Sequence, residues 1–140
     1  MNRTLGFDLG SKTLGVSVSD PLGMIARALT TLRFDSDDYD SALAQAQALI
    51  REQHADKVVL GLPRHMNGDI GVRGELSIAF KEKLESSGVE VVLWDERLTT
   101  VAANRILLQG DVSRKKRKKV IDQMAAVQIL QSYLDYSNRG

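Results

Sequence analysis

No cysteine occurs anywhere in the 140 residues. A disulfide framework is therefore excluded, and so is a thiolate metal centre. Only two histidines are present, so a bound metal would rest on oxygen ligands or on one of those two imidazoles. Aromatic residues are 5% of the chain, and Trp94 and the three tyrosines are scattered along it. That spacing does not suggest a base-stacking platform, and Trp94 reads as core. No apolar run approaches the roughly 20 residues of a membrane span. The start, MNRTLGFDLG, has neither a long apolar stretch nor a small-residue cleavage site. The expectation is a cytoplasmic protein that makes no use of a membrane.

What is present is ordinary globular material, 43% hydrophobic and 26% charged, enough for one core over a single domain of residues 1–140. The net charge of +1 conceals an asymmetry. Six of the 19 basic residues form one run: Arg114, Lys115, Lys116, Arg117, Lys118 and Lys119. The other 13 stand against 18 acidic residues, a balance of −5. A concentrated cationic run on a mildly acidic chain points to an anionic partner that docks in one place.

Periodicity divides the chain in two. Thr4–Asp8, Thr13–Ser19 and Ile25–Leu32 read as strands separated by turn-rich breaks, an antiparallel meander. Helical spacing then appears over Ser36–Gln53, with Leu43, Ala46 and Ile50 in phase and Asp37 or Asp38 as cap. A buried strand follows at Lys57–Leu62, a helix at Gly71–Ser87 closed by Gly88, and a strand at Val89–Asp95 with little alternation. Helices are expected over Thr99–Leu108 and Lys118–Tyr136, and 111–119 is expected to be a loop. Strands then βα units predict an α/β fold with a mixed five-stranded sheet and helices on its faces.

Acidic residues stand where such a sheet collects ligands. Asp8 ends the first strand, between Gly6 and Gly10, which leave its carboxylate approachable. Asp95 and Glu96 end the strand VEVVLWD, and alternation lets only one of them face Asp8. Asp122 shares a helix stripe with Ala125, Ala126 and Ile129, an expensive place for a carboxylate without compensation. The small alanines would seat that helix close to the sheet. Each acid also has an ordinary explanation: a turn-forming Asp8, an ion pair with Arg97, a helix N-terminal acid. Converging carboxylates need a cation, and hard oxygen donors favour Mg2+ or Mn2+. Two such ions can activate water and stabilise the leaving oxygen of a phosphodiester. The basic run would then contact phosphates.

Four stretches carry a resemblance: GFDLGSKTLGVSVSD, VVLGLPRHMNGDIG, DERLTT and RKKRKKVIDQMAAVQILQSYLD. Together, in this order, they closely resemble the YqgF (RuvX) family, bacterial proteins with a ribonuclease H-like fold. The family is described as Holliday-junction resolvases and as nucleases that process the 5′ end of precursor 16S ribosomal RNA. The resemblance implies catalytic, metal-holding acids at Asp8, Glu96 and Asp122, and it selects Glu96 over Asp95. It implies a metal-dependent endonuclease on structured RNA or branched DNA, and a homodimer where the substrate is a two-fold junction. Lys12, Arg97, Thr99 and Thr100 could hold phosphate or orient ligands, and Asn67 could contact nucleic acid or simply form a turn with Gly68. His65 is a candidate proton carrier or a solvated loop residue. Thr13 departs from the arginine common in the family.

Two rivals remain. DLGSKTLGVSVSD also resembles the phosphate loop of actin- and sugar-kinase-like ATPases, but those need two such domains. A non-catalytic nucleic-acid or ribosome-assembly binder would use the basic run alone, and metal dependence discriminates it from a nuclease.

Overall fold

The computed structural model describes residues 3–65, 67–99 and 114–138, the side chains of 114–123 lying outside that description. The elements are β1 (Arg3–Leu9), β2 (Thr13–Ser19), β3 (Ala26–Arg33), α1 (Tyr39–Glu52), β4 (Ala55–Leu62), α2 (Val72–Glu85), β5 (Glu90–Asp95), a 3-10 turn (Glu96–Leu98) and α3 (Arg114–Ser137). The sheet order is β3-β2-β1-β4-β5. The first three strands form the expected antiparallel meander, and β1, β4 and β5 run parallel. No helix among the described residues is long and apolar enough to cross a membrane.

Local chemistry explains the connections. Gly10 N–H donates to Thr13 O at 2.8 Å and closes the β1–β2 hairpin. In the β2–β3 turn the Asp20 carboxylate accepts from Met24 N (2.7 Å) and Ile25 N (3.0 Å). Those backbone donors hold its pKa below the ordinary carboxylate value. Of the two candidate caps for α1 it is Asp38 that accepts, from Ser41 N at 3.2 Å.

The sheet has two unlike faces. On one, Leu5, Phe7 and Leu9 of β1 and Leu14, Val16 and Val18 of β2 join Ala42, Ala46 and Ile50 of α1 and Phe80 and Leu84 of α2. By alternation, the opposite face of the same two strands carries small and polar residues: Gly6, Asp8, Gly15 and Ser17. Helix α3 covers that side, with Ala125, Ile129, Leu130 and Leu134 packed against Val59 and Ala26.

The seat of α3 is tight. A β-carbon on Gly6 would lie 2.7 Å from Leu130 Cβ and 2.9 Å from Ala126 O. Ser17 Oγ, fully buried, donates to the same Ala126 carbonyl at 2.7 Å. Gln131 ties the far end down, accepting from Ala26 N (2.9 Å) and donating to Met24 O (3.0 Å). Gly6 therefore serves the helix rather than leaving room at the Asp8 carboxylate.

Two expectations change. Residues 114–119, expected in a loop, are the first turns of α3. Lysine and arginine are good helix formers, and a polar run simply carries no apolar period to reveal them. The helix expected over Thr99–Leu108 falls outside the described residues from position 100 on; Thr99 itself closes the 3-10 turn.

Gly6→Ala is expected to destabilise the fold by about 1–3 kcal/mol, as for an overpacked core. Urea unfolding measures this, and an unchanged midpoint would contradict the close seat.

Candidate active site

The carboxyl ends of β1, β4 and β5 lie at one edge of the sheet, on the side where α3 begins. Asp8 is 7% exposed there and shares the α3 face with Gly6. Its neighbour across the antiparallel ladder is Gly15. In the parallel register Phe7 pairs with Leu60, so the next residue of β4, Gly61, comes beside Asp8. Asp8 therefore sits between two positions without side chains.

Glu96 fills part of that space. It opens the 3-10 turn after β5, and its Oε1 lies 2.8 Å from where a β-carbon on Gly61 would be, with Ile129 Cδ1 at 2.5 Å from the same point. Its carboxylate thus lies over Gly61, on the α3 face, on the strand adjoining Asp8. Thr99 donates through both N–H (3.0 Å) and Oγ1 (2.8 Å) to Glu96 O, which fixes the turn.

Asp95 is engaged elsewhere. It caps the turn by accepting from Arg97 N at 2.9 Å. The Arg97 guanidinium adds Nε at 3.1 Å and Nη2 at 2.8 Å to Asp95 Oδ2, and Arg64 Nε stands 3.8 Å away. The arginine hydrogen bonds hold Asp95 below the ordinary carboxylate range and raise Arg97. The ordinary explanation offered for an acid at this strand end, an ion pair with Arg97, thus describes Asp95.

Asp122 belongs to α3, one turn before Ala126; its side chain lies outside the described residues. The helix runs antiparallel to β1, since Gln131 bonds Ala26 at the opposite edge. Four helical residues from 126 back to 122 rise about 6 Å, and two strand residues from Gly6 to Asp8 about 6.6 Å. Residue 122 thus lies one helical turn from Ala126 in the direction in which Asp8 lies from Gly6. The side chains of Arg114, Lys115, Lys116, Arg117, Lys118 and Lys119, and all of Thr100, also fall outside the described residues.

The other candidates divide. Lys12 is exposed in the β1–β2 turn at this same edge. Asn67 acts within its own loop: Oδ1 accepts from Asp69 N (3.0 Å) and Nδ2 donates to Asp69 Oδ2 (3.1 Å), the turn-forming role. The exposed His65 lays its ring on Gly71, Nε2 lying 2.7 Å from a β-carbon position there. Thr13 is buried, 3% exposed, at the head of β2.

Trp94 packs against the core beneath α3, as expected, but sequence spacing did not reveal its aromatic neighbours. Trp94, Tyr133 and Tyr136 gather at the β5 edge, with ring centroids 5.6 Å (Trp94–Tyr133) and 5.4 Å (Trp94–Tyr136) apart. Residues four decades apart in sequence meet because α3 crosses β5. Arg64 and Arg73 also went unnoticed: Arg73 Nη2 donates to Leu9 O at 2.8 Å, one residue beyond Asp8. A lone arginine in the first turn of a helix gives no sequence signal.

The donor chemistry fits a hard divalent cation, since Asp8 and Glu96 offer only oxygens. Among the described residues there is no group of three metal-ligating side chains.

Residues 2–136 match the family profile of RuvX, Holliday junction resolvase. The chain belongs to this family. The RuvX family is one of nucleases, and the chain has close relatives of matching length. One from Bacillus subtilis (strain 168), named "Putative pre-16S rRNA nuclease", is 53% identical over 137 residues, 97% of this chain and 99% of the relative. One of the same name from Geobacillus kaustophilus is 56% identical over 134 residues, 95% and 97% of the two chains. Among solved structures, RuvC of Thermus thermophilus in complex with a Holliday junction substrate superposes with a TM-score of 0.64 at 14% identity, covering 100% of this chain and 97% of that one. At that identity the likeness speaks for fold, and the ribonuclease H-like expectation holds.

Gly61→Ala should leave the fold intact, because the atoms it meets are flexible ends, yet displace the Glu96 carboxylate. Cleavage should fall at least tenfold with little change in melting temperature; full activity would detach Glu96 from the site. Asp95→Asn should cost about 1 kcal/mol at neutral pH, the scale of a partly exposed ion pair. A lowered carboxylate pKa stabilises the fold above the ordinary value of 3.8, and the gain is lost as pH falls through the lowered one. The gap in melting temperature between Asp95→Asn and wild type should therefore close in acid.

Proposed function

We propose that this RuvX-family chain is a metal-dependent endonuclease for structured nucleic acid, with Asp8, Glu96 and Asp122 as its metal-holding carboxylates. The observation that carries the reading is the meeting of Asp8 and Glu96 on the α3 face, across the side-chain-free Gly61. The position of residue 122 on α3 supports the third member.

Mg2+ or Mn2+, as a pair of ions, would supply an activated water and neutralise charge on the phosphate and the leaving oxygen. The chain's own part is to hold and to exclude. Asp8 provides a carboxylate fixed on a rigid central strand. Glu96 provides one braced by the turn that Thr99 closes. The apolar side chains of Ile129 and Leu130 keep bulk water from the floor beneath them, which strengthens every electrostatic contact above it. Lys12 and the basic turns of α3 would take the flanking phosphates, contacts that position a strand without reading its bases.

The substrate we favour is precursor 16S rRNA, because relatives more than half identical over nearly the whole chain are named "Putative pre-16S rRNA nuclease". A four-way DNA junction is the second reading, favoured by the family's description. Paired cuts on a two-fold junction would call for two copies of the chain, whereas cutting a precursor rRNA would not. One domain in the cytoplasm suffices for either.

A cleavage assay with both substrates, in Mg2+, Mn2+ or EDTA, tests the reading. Wild type should cut only with metal. Asp8→Asn should retain binding and lose at least a hundredfold in rate. Cutting by Asp8→Asn at the wild-type rate would displace the site, and metal-independent binding without any cutting would favour the non-catalytic binder.

A further inference from the structure

Asp8 and Glu96 lie on one side of the sheet's carboxyl edge. On the other side, where α2 begins, the structure assembles cations that the metal site does not use. The loop from β4 to α2 and the first turn of α2 enclose a cavity of about 210 Å3, lined by Arg64, His65 and Arg73. Glycines make this packing possible. Gly74 lies so close to the loop that a β-carbon would be 2.9 Å from Pro63 O, and Gly71 gives its side-chain space to the His65 ring.

Arg73 is the central member. Its Nη2 donates to Leu9 O at 2.8 Å, and Gly10 is its neighbour, with Nη2 4.0 Å from a β-carbon position there. The guanidinium is thus held at the end of β1, one residue past Asp8 but on the face opposite its carboxylate. One carbonyl uses one of its five N–H donors, and no carboxylate among the described residues pairs with it. Arg64 is less occupied than Arg97. Its nearest carboxylate, on Asp95, is 3.8 Å away, and its Nη1 reaches Gly68 O only at 3.5 Å. Arg97, by contrast, is bound bidentately to Asp95.

We propose that Arg64 and Arg73 form a phosphate shelf. It receives a phosphodiester of the substrate strand beside the one that is cut, as the strand crosses the carboxyl edge of β1 and β4 from the α3 side to the α2 side. The shelf rests on the nuclease reading for its occupant, a nucleic-acid strand. Its separate content is the path: the strand passes over Leu9 and Gly10 and is gripped on both sides of Asp8. Planar guanidiniums suit phosphate because two N–H groups meet two oxygens. Arg73 comes already oriented by Leu9, so little side-chain freedom is lost on binding. The exposed His65 closes the cavity's outer wall.

Counterion release gives the test. Each lost phosphate contact lowers the slope of log K against log salt by about 0.7 to 0.9. Binding is measured in EDTA with two labelled probes, an RNA hairpin with a single-stranded 5′ extension and a four-way DNA junction. The variants are Arg64→Gln/Arg73→Gln, Arg73→Lys, and Arg51→Gln at the opposite edge of the sheet. The double variant should bind about tenfold more weakly near 0.1 M salt and lose between one and two units of slope. Arg73→Lys, which keeps the charge, should keep most of the slope, and Arg51→Gln should match wild type. A loss seen with one probe alone supports the shelf and assigns its strand to RNA or to DNA.

An unchanged slope in the double variant overturns the shelf, even where its melting temperature falls, because a merely structural Arg73 would lower stability and leave counterion release alone. An equal loss in Arg51→Gln overturns it too, as a general charge effect. Wild-type cleavage in Mg2+ separates this outcome from failure of the nuclease reading. If wild type cuts and the slope is unchanged, only the shelf falls. If wild type never cuts but the slope drops, the shelf stands and the catalytic assignment falls.

Discussion

The contact between α3 and the β1–β2 face governs the molecule. A helix whose backbone carbonyl at Ala126 rests on Gly6 and takes a hydrogen bond from a fully buried serine has no freedom to slide. A shift of one residue would drive Leu130 into the strand or leave Ser17 without its acceptor, each a cost on the scale of a lost buried hydrogen bond or an overpacked core. The same contact sets Ile129 and Glu96 together over Gly61 and fixes where α3 sits along β1. Geometry at the carboxylates is thus inherited from helix packing within about one turn.

The two faces explain why the sheet tolerates a buried acid. The face toward α1 and α2 is continuously apolar and supplies the bulk of the core. The face toward α3 is lined by glycine, serine and aspartate near β1 and becomes apolar only toward β4 and the carboxyl half of the helix. Polar groups here lie in a narrow strip along β2 and the end of β1, from Thr13 and Asp8 to Ser17 and Ser19. They can be served by a helix backbone, a cation or a substrate without opening the main core.

Much of this was legible in the residues. Alternation in TLGVSVS placed Leu14, Val16 and Val18 on one side, and that is where they pack. The alanines at 125 and 126 foretold a close helix. The meander and the later parallel strands followed from loop chemistry and the change of period. What stayed hidden has physical causes. A chain of lysines and arginines has no apolar period, so the first turns of α3 looked like a loop. Trp94, Tyr133 and Tyr136 cluster only through a helix-on-strand crossing that no local pattern encodes. Gly61 could be seen as part of a motif, but its use as a gap between two carboxylates depends on the parallel register of β1 and β4. Glu96 and Asp95 were inseparable by alternation alone, because the chain leaves the strand at that point and a 3-10 turn redirects the side chain.

The hydrogen bond from Ser17 to Ala126 joins residues 109 positions apart. Loop-closure entropy across that separation must be met before the contact rewards it, a cost that the nearer pairings of the meander and the βα units do not carry. Until then the glycine-lined strip, with Asp8 in it, has no roof. Helix α3 must have left the ribosome before this face can be covered. Among these elements the order of burial therefore runs opposite to the order of reading: β1 waits for α3, and the edge that would handle nucleic acid stays open until that helix is seated.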